Sequence, residues 1–219
     1  MPLDLVIFDC DGVLVDSEPV VNRVESALFT TLGYPLDVTE ARRRMQGKTV
    51  GQVAELVAAE LGRTLTAEEL YTWGMTTALG LVEELQPVAG VRDVITQVAA
   101  WGLQTCVASQ SPLPRVRLSL AVTQLAAPFG AKVFTASMVA RPKPAPDLFL
   151  YAAEKMNAAP QRTAVIEDSP SGVLAARAAG MTVFGYAADS DAGALRAAGA
   201  HVFAAMDELP ALLALARER

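Results

Sequence analysis

The feature that most constrains the fold is an alternation of short apolar runs with longer segments of helical spacing. The runs are rich in β-branched residues, as strands of a sheet covered on both faces usually are, and they span residues 5–8, 103–108, 132–134, 163–166, 181–186 and 201–203. Helical spacing occupies residues 91–101, 146–156 and 172–179 between them, and Gly102 and Gly180 follow two of these segments as helix-ending glycines. The alternation predicts an α/β fold with a doubly wound, Rossmann-like parallel sheet.

Residues 16–86 depart from this alternation. They contain helical patterns at residues 20–32, 50–61 and 67–85 and no convincing strand. A helical excursion of the same domain is one interpretation, but the segment is too long for a single crossover between strands. The connection lengths therefore favour an inserted all-helical cap at 16–87, with residues 1–15 and 88–219 forming the catalytic core.

Composition excludes several classes of protein. Among 219 residues, 52% are hydrophobic and 19% charged, which excludes a mainly disordered chain. A net charge of −6 argues against sequence-independent nucleic-acid binding. Two cysteines, Cys10 and Cys106, and a single histidine, His201, exclude a disulfide framework and a histidine-paired zinc site. The chemistry must therefore rest mainly on carboxylates, Lys or Arg, and hydroxyls.

The chain opens without a basic leader and contains no run of 18 apolar residues. We accordingly expect a cytoplasmic protein that has no membrane or nucleic-acid partner and is a monomer or a dimer.

Polar residues follow three of the predicted strands, at the edge of the sheet where ligands of parallel α/β proteins bind. Asp9 and Asp11 follow the first strand and lie two residues apart, so both carboxylates project to the same side. Their mutual repulsion requires a cation. Ser109 ends the second strand, while Glu167 and Asp168 end a later one, although each of these residues could also serve as a turn former or helix cap. Four carboxylates in one crevice are typical of a Mg²⁺ site.

Lys143 lies between Pro142 and Pro144, which stiffen the backbone around it. It is either a solvated loop lysine or a rigidly held partner for an anion. Gly47, Lys48 and Thr49 match the end of a phosphate-binding P-loop, but the required earlier glycine and preceding strand are missing.

Taken together, these motifs resemble those of the haloacid dehalogenase superfamily, in its phosphatase and phosphomutase branch. The run DCDGVLVDSE at 9–18 is similar to the first motif, and Ser109 to the hydroxyl of the second. Lys143 within RPKPAPD resembles the third motif, and Glu167 with Asp168 the acidic fourth. The motifs follow in family order over essentially the whole chain, and the helices after the first motif are similar to the family's small cap.

The resemblance implies specific roles. Asp9 would be the nucleophile that forms an aspartyl-phosphate, and Asp11 the general acid and then the base. Lys143 and Ser109 would orient the phosphoryl oxygens. The residues implied to hold Mg²⁺ are Asp9, Asp11 through its backbone carbonyl, and Asp168, with Glu167 a direct ligand or close by.

The resemblance also implies a reaction. We expect a Mg²⁺-dependent phosphatase acting on a small-molecule phosphate ester, a sugar or sugar-acid phosphate, with β-phosphoglucomutase or phosphoglycolate phosphatase as alternatives. The β-phosphoglucomutases have a histidine where this chain has Val21 and an arginine where it has Val50, which favours hydrolysis. A non-catalytic phosphate-binding module would be expected to lack the nucleophile or the acid. The expected substrate-binding residues are Gln46, Gly47, Lys48, Gln110 and Ser111, although the three cap residues could instead form a solvated basic helix end.

Overall fold

A computed structural model describes residues 3–45 and 48–217. Its six strands form one parallel sheet in the order β3-β2-β1-β4-β5-β6. The strands are β1 Leu5–Phe8, β2 Gln104–Ser109, β3 Val133–Thr135, β4 Thr163–Glu167, β5 Thr182–Tyr186 and β6 His201–Phe203. All six predicted strands are confirmed, with ends shifted by a residue or less, and the doubly wound parallel sheet is confirmed with them.

Eleven α-helices occupy the described residues. Those between β1 and β2 are α1 Glu18–Thr31, α2 Val38–Met45, α3 Val50–Leu61, α4 Ala67–Glu84 and α5 Val91–Ala100. The remaining ones are α6 Leu113–Val122, α7 Ala126–Phe129, α8 Asp147–Lys155, α9 Pro170–Ala178, α10 Ala192–Ala198 and α11 Leu209–Arg217. None of the helices in the described part of the chain combines the length and apolarity needed to cross a bilayer.

The sheet is buried on both faces, as its continuous apolar strands predict. Successive residues of β1 alternate between two clusters: Val6 and Phe8 pack with α5, α6 and α11, whereas Leu5 and Ile7 pack with α8 and α9. Strand β1 lies between β2 and β4 in the middle of the sheet. The residues that follow β1 therefore lie near the middle of the carboxyl edge.

Helices α1 to α4 form a helical cap with a hydrophobic core of its own. That core includes Phe29, Met45, Val57 and Trp73, and the Phe29 and Trp73 rings meet edge to face at 5.1 Å. Thr49 and Thr66 begin α3 and α4 with capping boxes, since each side chain accepts a hydrogen bond from the backbone N–H three residues later.

Two chain crossings join the cap to the sheet, and they lie side by side. Val15 pairs with Pro87, the Asp16 N–H donates to the Gln86 carbonyl at 3.0 Å, and the Val88 N–H donates to the Leu14 carbonyl at 3.0 Å. The first strand is thereby connected to the cap directly behind Asp9 and Asp11.

Candidate active site

Asp9 and Asp11 lie where β1 ends, at the carboxyl edge of the sheet. The Asp9 N–H donates to the Ile166 carbonyl at 2.9 Å, which continues the pairing with β4 and fixes the Asp9 backbone. Asp9 is buried, and burial raises its pKa to about 8 even though Lys143 opposes the shift. Both carboxylates line a cavity between the sheet edge and the cap. The empty space of this cavity, about 800 Å³, is continuous with open solvent.

Lys143 is a buried ion-pair partner rather than a solvated loop lysine. Its Nζ donates to Asp9 Oδ1 at 2.6 Å, to Glu167 Oε1 at 2.6 Å and to the Ala108 carbonyl at 3.0 Å. Burial alone would lower the pKa of Lys143, but the carboxylates of Asp9 and Glu167 outweigh burial and hold that pKa above its ordinary value. The Phe149 ring lies 4.8 Å from Nζ and closes the side away from the cavity. A fixed positive charge therefore stands beside Asp9.

Both carboxylate oxygens of Glu167 accept hydrogen bonds that hold Lys143 and the start of α9 in place. Oε1 accepts from Lys143, while Oε2 accepts the N–H groups of Asp168 and Ser169, each at 3.0 Å, and the Ser169 hydroxyl at 2.9 Å. Gly172 is required here because a Cβ would lie 1.8 Å from Glu167 Oε1. Glu167 thus anchors Lys143 and the start of α9, and its role at the metal, as a direct ligand or close by, stays a prediction.

Asp168 and Asp9 are the side chains best suited to hold a cation. Asp168 is buried, its side chain accepts no hydrogen bond from any described residue, and burial with the nearby Glu167 and Asp9 charges raises its pKa well above the ordinary value. Gly12, at φ +78°, lets the loop pass so close to Asp168 that a Cβ would meet Oδ2 at 2.2 Å. Within the described residues no three Asp, Glu, His or Cys side chains form a metal-ligand cluster. The Asp9 and Asp168 carboxylates are oxygen ligands of the kind that Mg²⁺ prefers, and the ion keeps waters and substrate oxygens among its other ligands.

The Asp11 side chain is held on the cavity wall by three partners. Ser111 Oγ donates to Asp11 Oδ2 at 2.7 Å, while Ser17 Oγ and Arg115 Nη2 both donate to Oδ1, the latter at 3.1 Å. Burial would raise the pKa of Asp11, but Arg115 and the two hydroxyls outweigh burial and lower that pKa. The sequence analysis did not predict Arg115 as a site residue. Its position near the start of α6, shortly after the strand that ends at Ser109, could have indicated it.

The other predicted site residues gather around the same cavity, as far as the structure describes them. Ser109 is buried at the end of β2, and its Oγ accepts the Ser111 N–H at 3.0 Å. Gln110, Ser111 and Lys48 line the cavity, with Lys48 exposed at the cap side. The predicted residues Gln46 and Gly47 lie outside the described residues.

Most of the cap side chains that line the cavity were not among the predicted site residues. The cavity is walled on the cap side by a mixed set of residues: Val21, Asn22, Glu25, Met45, Lys48, Val50, Val53 and Trp73. Asn22 and Glu25 are buried polar residues on α1. Their signal in the sequence was weak, since polar residues beside an apolar helix stripe usually face solvent.

Comparison with known proteins decides the family. The model of the haloacid dehalogenase-like hydrolases matches residues 3–180. The chain belongs to that family. Membership, together with relatives named as phosphatases, makes the protein a phosphoric monoester hydrolase of the haloacid dehalogenase-like family, as expected from its motifs.

Two curated relatives come from Escherichia coli K12. A 6-phosphogluconate phosphatase is 30% identical over 188 residues, covering 85% of this chain and 84% of the relative. Hexitol phosphatase B is 31% identical over 177 residues, covering 80% and 79%. Among solved structures, a haloacid dehalogenase family hydrolase from Deinococcus radiodurans with bound phosphate and sodium superposes with a TM-score of 0.80. It is 31% identical and covers 98% of this chain and 96% of its own.

Proposed function

We propose that this protein is a Mg²⁺-dependent phosphatase that hydrolyses a small phosphorylated polyhydroxy metabolite through an aspartyl-phosphate intermediate. The observation that carries the proposal is the pairing of Asp9 with Lys143 Nζ at 2.6 Å, with Asp11 on the wall of the same open cavity. The positive charge of Lys143 reduces the repulsion between the Asp9 carboxylate and a phosphate dianion, so the substrate can come within bonding distance of Asp9.

In the first step, an Asp9 carboxylate oxygen attacks phosphorus, and the bond from phosphorus to the ester oxygen breaks. Asp11, once released from the hydrogen bonds that lower its pKa and protonated, gives that proton to the leaving oxygen, so the alcohol departs neutral. Lys143 and the Ser109 hydroxyl orient the phosphoryl oxygens.

In the second step, Asp11 takes a proton from water. The resulting hydroxide attacks phosphorus, and the phosphorus–oxygen bond to Asp9 breaks, which frees phosphate, restores the Asp9 carboxylate and leaves Asp11 protonated for the next cycle. Mg²⁺ bound by Asp9, Asp168 and the Asp11 carbonyl would neutralise phosphate charge throughout. Lys143, which is held by its hydrogen bond to Glu167, would keep the Asp9 carboxylate oriented for attack on phosphorus.

The cap closes the cavity over the substrate in this proposal. We place the cap boundaries at residues 16 and 87, where the two paired crossings form a natural hinge. Closure would exclude water while the ester bond breaks.

A panel of sugar phosphates, sugar-acid phosphates, hexitol phosphates, phosphoglycolate and nucleotides, assayed for released phosphate with Mg²⁺, tests the proposal. We expect turnover of at least one phosphorylated sugar, sugar acid or polyol that stops when Mg²⁺ is chelated. Absence of phosphate release from every ester by the folded protein would contradict it.

A phosphomutase is the second candidate, because the Ser17, Ser111 and Arg115 hydrogen bonds restrain Asp11. A mutase needs such restraint so that its phosphorylated aspartate survives until a sugar returns. Against it, Val21 lines the cavity without any hydrogen-bonding group. Incubation with β-glucose 1-phosphate and catalytic glucose 1,6-bisphosphate separates the two. Glucose 6-phosphate accumulating much faster than inorganic phosphate would establish the mutase.

A further inference from the structure

Two largely buried polar side chains of the cap line the cavity without a hydrogen bond from any described residue. Asn22 and Glu25 lie three residues apart on α1, hence on one helix face, and both line the cavity that holds Asp9 and Lys143. Their relative exposures are 6% and 4%. Across residues 3–45 and 48–217, no hydrogen bond reaches either side chain.

Two polar side chains that face one open cavity and accept or donate no hydrogen bond with a described residue are available to a ligand that supplies those bonds. A carboxylate accepts hydrogen bonds, and an amide both accepts and donates them. Each hydroxyl group of a polyol both donates and accepts hydrogen bonds, and hydroxyls on neighbouring carbons can reach both side chains. The chemistry of this pair thus suits the hydroxylated chain of a phosphate ester.

The charges around Asn22 and Glu25 disfavour substrates that carry a second anionic group. Glu25 faces Arg115, but that guanidinium already donates to Asp11 at 3.1 Å, so two carboxylates share one cation. Lys143 is likewise engaged by Asp9 and Glu167. Of the described cations that line the cavity, Lys48 is exposed at the cap side, and Arg115 has one donor, Nε, without a hydrogen bond. A second anionic group on the substrate would meet uncompensated negative charge at this wall.

Burial raises the pKa of Glu25 to about 7, with Arg115 acting in the opposite direction. Above neutral pH the Glu25 side chain is therefore mainly an anion. It accepts hydroxyl hydrogen bonds and repels carboxylates under those conditions.

We propose that Asn22 and Glu25 form a subsite for an uncharged hydroxylated chain, so that the enzyme prefers neutral polyol or sugar phosphates to sugar-acid phosphates of equal length. This inference rests on the proposed function and narrows its substrate class. Two matched probes are glucitol 6-phosphate and 6-phosphogluconate, which differ only in a hydroxymethyl or a carboxylate group at C1.

The test compares kcat/KM for the two probes at pH 8 with saturating Mg²⁺. For the unmodified protein we expect a preference for glucitol 6-phosphate on the order of tenfold or more. Glu25→Gln should reduce this ratio by about fivefold, mainly by lowering KM for the sugar acid, because it removes the charge while keeping the side-chain shape. Asn22→Asp should enlarge the ratio. Glu55→Gln, which removes the same charge from an exposed cap position, is the matched control and should not alter it.

Equal or greater activity of the unmodified protein on 6-phosphogluconate would overturn the inference. So would an unchanged ratio in a Glu25→Gln protein whose circular dichroism and melting temperature match those of the parent. Phosphate release by the unmodified protein from p-nitrophenyl phosphate, which has no hydroxylated chain, reports on the proposed function separately. If that ester is hydrolysed and the two probes are not distinguished, the subsite fails alone; if no ester is hydrolysed, both proposals fail.

Discussion

The two walls of the cavity differ in how their charged and polar groups are paired. On the sheet side, Lys143 is held by Asp9 and Glu167, and Asp11 by Arg115 and two hydroxyls. On the cap side, Asn22 and Glu25 face the cavity with no hydrogen bond from a described residue. Two of the cap's ion pairs, Arg44–Glu60 and Arg63–Glu69, involve no cavity-lining residue, whereas the Arg42–Glu18 pair includes the lining residue Glu18.

The difference indicates a division of labour. Phosphoryl transfer gains from groups held in place before the substrate arrives, because no reorganisation is then needed during the reaction. Recognition gains from groups that are left for the substrate to satisfy. Substitutions on the sheet side should therefore slow turnover of every ester alike, whereas those on the cap side should alter the ranking of esters.

The largest effect is expected at Asp9. Asp9→Asn removes the nucleophile and should lower kcat at least on the order of a thousandfold for every ester. Phosphate release and thermal melting are measured together. The control is Asp93→Asn, the same change at an exposed position of α5. Near-normal turnover by a folded Asp9→Asn protein would end the assignment of the nucleophile.

Removal of the metal should have the second-largest effect on activity. Chelation is expected to lower activity at least about a hundredfold for all esters, with recovery on adding Mg²⁺ and inhibition by Ca²⁺, which prefers more ligands and looser geometry. Asp168→Asn should raise the Mg²⁺ concentration for half-maximal activity by about tenfold or more. Asp207→Asn, at an exposed position, serves as its control. Full activity after exhaustive chelation would show that these carboxylates hold no essential metal.

Lys143→Met should lower kcat on the order of a hundredfold, since a phosphate-orienting cation is lost. It also leaves Asp9 and Glu167 buried without their shared partner, at a cost of about 3 kcal/mol in the free energy of unfolding. Steady-state kinetics and urea unfolding measure the two effects. Lys155→Met, at an exposed position, should show neither. A stable and active Lys143→Met protein would contradict the role of this ion pair.

Arg115→Lys should lower kcat by about tenfold, because lysine keeps the charge but loses the planar fork that positions Asp11. The same factor should apply to every ester if Arg115 acts through Asp11. The neighbouring exposed Arg117 provides the matched change, Arg117→Lys. A tenfold rise in KM with unchanged kcat would instead assign Arg115 to substrate binding.

The smallest effect belongs to the exposed Lys48 on the cap side. Lys48→Met should raise KM by roughly threefold with less change in kcat, and this effect should shrink at high salt because an exposed charge is screened. Lys155→Met again supplies the control, measured at the same two salt concentrations. An equal loss of kcat for all esters would place Lys48 with the sheet-side residues and weaken the contrast between the walls.

Local patterns alone determined the sheet and much of the catalytic edge. Buried parallel strands are continuous apolar runs, and their carboxyl ends meet at one edge, so Asp9, Asp11, Ser109 and Asp168 could be grouped before any coordinates were known. The polar α2, with three consecutive arginines, and α6, which follows Pro112, were not delimited because their apolar stripes are short. Lys143 joined this group only through the family resemblance of its motif, because its local sequence left its role open.

Only the tertiary structure decided how neighbouring acids divide their tasks and which cap residues face the cavity. Glu167 and Asp168 are adjacent in sequence, and both line the cavity. Glu167 anchors Lys143 and the start of α9, whereas the Asp168 side chain accepts no hydrogen bond from a described residue. Arg115 and Glu25 are 90 positions apart and meet only because the cap lies over α6. Such contacts depend on the angle between two packed bodies, and no short-range pattern in the chain encodes that angle.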